Sequence, residues 1–158
     1  MSNSAFDLAS DEATLTNSDV VGLNIDPVEE IETVIASLAE PDSAMVNRSE
    51  TGHLWKFRYG SVEVFVQLGG TSDDDTLTVW SPVLTLPVQQ EADLLRKLMV
   101  MNTNTFEARF AISEDRVVVM TARTLAGLTP AEVSRSITVV ASIADDNDEA
   151  LIAEFGTP

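Results

Sequence analysis

Few residues of this chain could do chemistry. His53 is its one histidine, and it has no cysteine. A Ser-His-Asp triad holds its imidazole between a nucleophile and a carboxylate. No Gly-x-Ser-x-Gly elbow marks such a nucleophile here. Catalytic zinc draws two or three His or Cys ligands, which one histidine cannot supply. His53, beside Gly52 and just ahead of an expected strand, therefore reads as an isolated exposed side chain. The lack of cysteine also removes disulfides and a thiol nucleophile, and it fits a reducing compartment.

Two runs of acids could hold a hard cation. Asp73-Asp74-Asp75 lacks the EF-hand spacing, with its central glycine and closing glutamate. Asp145-Asp146-Asn147-Asp148-Glu149 falls on an expected helix, where carboxylates fan around the axis. Both read as solvated acidic surface. Gly69-Gly70-Thr71-Ser72 has the look of a phosphate cradle, but a P-loop needs its lysine and a following helix. Three carboxylates and a strand follow instead. The expectation is a non-enzyme with no catalytic residue, no metal and no cofactor.

Net charge narrows the partners. The 158 residues carry 26 acids against nine Lys and Arg, a balance of −17. Residues 1–42 hold ten acids and no base, and residues 136–158 hold five acids and no base. All nine bases lie between positions 48 and 135, beside eleven acids. Nucleic-acid binding depends on neutralising phosphates with Lys and Arg, and an anionic membrane asks for the same. Neither partner is expected. The stretch 137–144 is the longest weakly apolar run, far short of the roughly 20 residues of a bilayer span. Met1 to Leu8 lacks the basic and apolar regions of a signal peptide, so the expected location is cytoplasmic.

The elements follow from caps and periodicity. Residues 1–24 read as a mobile acidic tail, and 25–158 as a single domain. Asp26-Pro27-Val28-Glu29 starts a first helix with a cap, a proline in the first turn and a capping box. Val28, Ile31, Ile35 and Leu38 form its apolar stripe, and Pro41 ends it. Strands are expected at 44–48, 54–59, 61–68 and 76–86, with Pro82 marking a bulge or an edge. A second helix spans 88–101. Strands at 106–112 and 116–121 form a hairpin. Thr129-Pro130-Ala131-Glu132 starts a long final helix reaching Gly156. The expected class is α+β: an antiparallel sheet of about five strands with helices packed on one face.

Two surfaces stand out. Apolar residues spread around more than half of the second helix, and a helix that is apolar on both sides is covered on both sides. Leu94, Leu98, Met99 and Met101 are therefore the candidate dimer interface, with a helix tucked between sheet and tail as the competing arrangement. Strand alternation sends Trp55, Phe57 and Tyr59 to one face of the sheet and Lys56 and Arg58 to the other. The second face would mix Glu63 and Glu107 with Lys56, Arg58, Phe65, Trp80 and Arg109, the last five being the candidate partner surface. Cross-strand charge pairing explains the same residues without a partner.

Several stretches carry a resemblance: Leu94 to Asn102, Phe106 to Ile112, Val117 to Met120, Leu125 to Glu132 and Ala144 to Leu151. Together the chain from Asp26 to Gly156 resembles the YbjN-like family, whose members share the fold of the type III secretion chaperones. The resemblance implies the order α-β-β-β-α-β-β-α and protein binding, often as a homodimer with the second helix at or near the interface. It also implies a loose link to regulation or stress. It transfers no catalytic or binding residue, because the matched positions serve packing, turns and caps. The sequence thus points to a chaperone-like, protein-binding adaptor or regulatory domain acting as a homodimer. The alternative is a small-molecule-sensing domain with a pocket between helix and sheet.

Overall fold

Helix α1 spans Pro27–Leu38. Asp26 accepts the Val28 N–H at 2.9 Å, and Pro27 occupies the first turn, where its missing N–H costs nothing. Ile31, Val34 and Ile35 fall on the buried side. The cap forms as the sequence expects, but the reciprocal Glu29 contact of a capping box is not among the contacts of the described residues. The computed structural model describes residues 26–157, and the expected tail over 1–24 lies outside them.

Four strands follow: β1 (Met45–Ser49), β2 (Gly52–Tyr59), β3 (Val62–Leu68) and β4 (Thr76–Thr85). Helix α2 (Glu91–Met101), strands β5 (Arg109–Ser113) and β6 (Arg116–Thr124) and helix α3 (Pro130–Phe155) complete the order. The six strands pair antiparallel in the order β1-β2-β3-β4-β6-β5. The class and order agree with expectation, with six strands in place of about five. β1 answers the stretch expected at 44–48, and it is an edge strand exposed along its whole length. Burial therefore leaves no alternation in its sequence.

The core lies between the helices and one sheet face. In β3, Val62, Val64, Val66 and Leu68 are buried, while Glu63 and Gln67 are exposed on the other side. Phe57 from β2, Leu77 and Val79 from β4, and Val117 and Val119 from β6 extend this inner face. Helix α3 covers it with Val133, Ile137, Val140, Ala141, Ala144 and Leu151. Both halves of its capping box form: Thr129 Oγ1 accepts the Glu132 N–H at 3.3 Å, and Glu132 accepts the Thr129 N–H at 2.9 Å. Pro82 lies in β4, a central strand, so the edge alternative falls. The register shifts between Pro82 and Leu84, and that bulge absorbs the missing donor.

Candidate functional site

Among the described residues no helix packs on the second face of the sheet, and that face is assembled by register. Lys56 of β2 pairs with Phe65 of β3, Phe65 with Trp80 of β4, Trp80 with Met120 of β6, and Met120 with Arg109 of β5. Met45 of β1 extends the same row beyond Lys56. Directly paired antiparallel residues share a face, so one line of side chains crosses the whole sheet. At its centre the Phe65 and Trp80 rings stack, 5.3 Å between centroids and 7° between planes. Both rings are half-buried, as are Lys56 and Met120, while Arg109 is exposed.

Four of the five residues expected on a partner surface stand in this row, and Arg58 lies one step along β2, opposite Glu63. Lys56 pairs with Glu63 at 3.2 Å and Arg58 with Glu40 at 3.6 Å. Arg109 makes no ion pair among the described residues. Glu107, expected beside them, is elsewhere. It takes a positive φ of 64° ahead of β5, and its carboxylate meets Arg135 of α3 at 3.2 Å. That turn delays the strand to Arg109 and leaves Phe106 in the preceding loop, 76% exposed.

Helix α2 divides the candidate dimer interface. Leu94 and Leu98 face the chain's own core and are 0% and 5% exposed, so a second subunit could not reach them. Met99 is 69% exposed, and Met101 is half-buried against the core. The outer apolar side is carried by Met99 with Val100 and Leu95, two residues that the four-residue expectation omits. Apolar positions on both sides of the helix were legible in the sequence. Which side meets the sheet was not, because it depends on how the helix is anchored. Lys97, pairing with Glu154 of α3 and lying over the Phe155 ring, is part of that anchor.

Beside α2 a cleft of about 560 Å³ opens between the 104–107 loop, β5 and α3. Met101, Phe106, Phe110, Val139 and Ile143 give it apolar walls, and the Arg135–Glu107 pair stands at it. The sequence offers a pocket between helix and sheet but names none of this lining, because the cleft lies beside the turn at Glu107, where a continuous strand is expected.

The residues weighed for chemistry serve structure. His53 lies within β2 and stacks on Trp55 at 5.2 Å. It is half-buried, where an exposed side chain was expected. Trp55 Nε1 and Arg48 both donate to Glu32 of α1, at 3.3 and 2.9 Å. The Arg48 bond first, then that of Trp55, hold the Glu32 carboxyl below its ordinary value. Asp75 accepts from the hydroxyl and then the N–H of Ser72, which lowers its pKa and closes the β3–β4 loop on itself. A side chain at Gly70 would collide with this carboxylate, 2.2 Å from Oδ2. The glycine makes room for Asp75, and no phosphate is needed to explain it. Among the described residues no three metal-ligating side chains cluster, and no helix is long and apolar enough to cross a membrane.

No curated protein matches the chain. Among solved structures it is similar to a chain of "Crystal Structure of the ExsC-ExsE Complex", at 15% identity over 80% of this chain and 97% of that one, with a TM-score of 0.48. The sequence model of the YbjN family, described as "Putative bacterial sensory transduction regulator", matches residues 27–153. That span runs from the first residue of α1 to the last turn of α3 and takes in the whole sheet. This chain belongs to the YbjN family.

Proposed function

We propose that this protein is a non-enzymatic, chaperone-like adaptor or regulatory domain, formed by residues 25–158, that acts in the cytoplasm as a homodimer and binds another protein. The observation that carries the reading is the stacked Phe65–Trp80 pair on a sheet face that no helix of the described residues covers. Large aromatics flanked by cations anchor protein contacts more often than other exposed side chains do. The outer side of α2, with Met99 and Val100, is the self-association surface.

The apolar cleft beside α2 supports a second reading, a small-molecule-sensing domain. One experiment separates the two. The protein is purified from its native cells, co-eluting proteins are identified by mass spectrometry, and the mass of the particle is read by light scattering. A stoichiometric protein partner lost in Trp80→Ala supports the adaptor. A bare particle, whose melting temperature rises saturably with a small metabolite, supports the sensor. Met99→Glu with Val100→Glu is expected to give a folded monomer, and a doubly substituted protein that remains dimeric removes α2 as the interface.

A further inference from the structure

Charge is divided unevenly between the two sides of the molecule. The three helices carry eleven carboxylates and three cations. Among the described residues, the helix-free sheet face carries Lys56, Arg58, Arg109 and Arg116 against one carboxylate, Glu63. A chain with net charge −17 therefore keeps a cationic patch, and the patch flanks its half-buried aromatic pair. The ion pairs made by three of these cations are exposed and long, at 3.2, 3.6 and 3.9 Å. Pairs of this kind are weak, so the cations can exchange their carboxylates for those of a ligand.

Resting on the protein-binding reading above, we propose that this face docks a short acidic segment of a partner protein. The segment lies in extended form along the row from Lys56 to Arg109. Its carboxylates meet the cations at the two ends, and an aromatic or long apolar side chain between them rests on Phe65 and Trp80. Lys56 and Arg109 are four strand spacings apart in register, which is roughly 19 Å at about 4.8 Å per strand. An extended chain covers that in about six residues. A second copy of this face is the wrong occupant, because like charges would meet. A long polyanion is also wrong. It would extend beyond the four cations of the patch over the rest of a chain whose net charge is −17. The carboxylates of a short segment stay within roughly 8 Å of the cations they meet, where local charge outweighs distant charge at physiological salt.

The test uses the full chain and a fluorescein-labelled peptide of about eight residues, with acids at both ends about six positions apart and phenylalanine and leucine between them. Its control replaces each acid by lysine. Saturable anisotropy with the acidic peptide, a change in tryptophan emission and no binding of the lysine peptide are expected. Lys56→Glu with Arg109→Glu weakens binding by about tenfold or more, as does Trp80→Ala. Glu149→Gln, on the exposed side of α3, leaves it unchanged. Equal binding of both peptides, or charge reversal that leaves affinity unaltered, overturns the proposal. A single-stranded oligothymidylate that binds more tightly than the peptide overturns it in favour of nucleic acid. If no peptide binds while a native partner still co-elutes and is lost in Trp80→Ala, the acidic segment is wrong and the protein-binding reading stands. If Trp80→Ala changes neither, both fall.

Discussion

At Ser61 one hydroxyl faces two carboxylates of α3, 2.9 Å from Asp145 Oδ1 and 2.8 Å from Asp148 Oδ1. A hydroxyl carries one proton, so it donates to one carboxylate at a time or shares the proton between them. The Ser61 N–H donates as well, at 2.9 Å to Asp145. The sequence presents 145–149 as an acidic run fanned around a helix. Asp145 and Asp148, three positions apart, in fact share the side that meets the β2–β3 turn, and Asp148 is 5% exposed. Their spacing was legible. Their donor, 84 and 87 positions away in sequence, was not. The backbone bond first, then the hydroxyl, hold Asp145 below its ordinary value of 3.8. A carboxyl so lowered contributes stability that is present above its unfolded value and is lost as pH falls through its folded value. Glu32, Asp75 and Glu132 share the direction, so their stabilisation is lost from the ordinary carboxylate range downward. Ser61→Ala removes the smaller contribution to Asp145 and spares the larger. Its carboxyl titration, followed by NMR, is expected to move part-way up toward 3.8. A midpoint that stays in place would show that the hydroxyl serves Asp148 alone.

Elements were legible where local chemistry decides them. Thr129 with Glu132 opens α3, and Asp26 opens α1, as their residue types require. The strongly alternating β3 appeared within one residue of its expected start. Where a turn is set by distant contacts, the sequence was a poorer guide, as at Glu107. Gly60 and Gly127 make this difference measurable. Both take positive φ, 54° and 69°, where a side chain costs about 1–2 kcal/mol. A Cβ at Gly127 would meet nothing within 4 Å, whereas at Gly60 it would lie 2.2 Å from Asp145 Oδ1. Gly127→Ala is therefore expected to cost about 1 kcal/mol in urea denaturation. Gly60→Ala should cost more, because it also displaces Asp145 from Ser61. Equal losses would mean that α3 yields at Asp145 and that the link to the β2–β3 turn adds little.

For the whole molecule, charge was the most legible quantity in the sequence and its placement the least. The excess of acids at both ends of the chain is plain from position alone. Strand alternation groups Lys56, Arg58 and Arg109 on one face, but that Arg116 joins them and that they line up with Phe65 and Trp80 depends on register, which alternation does not give. The arrangement makes opposite predictions for salt. A net charge of −17 strains the compact state through self-repulsion, and salt screens it. The ion pairs of the described residues pull the other way, but each has side chains exposed by at least 29%, and exposed pairs are worth about 0–1 kcal/mol. Self-repulsion outweighs them, so sodium chloride raised from about 20 to about 300 mM should stabilise the protein by about 1 kcal/mol, or roughly 4 °C in melting temperature for a domain of this size. The same salt should weaken an acidic ligand on the sheet face, because that contact is an attraction between opposite charges. A melting temperature that falls with salt would show that the ion pairs outweigh repulsion. The cations of the sheet face would then be committed to the fold, and they would be poorly placed to exchange partners.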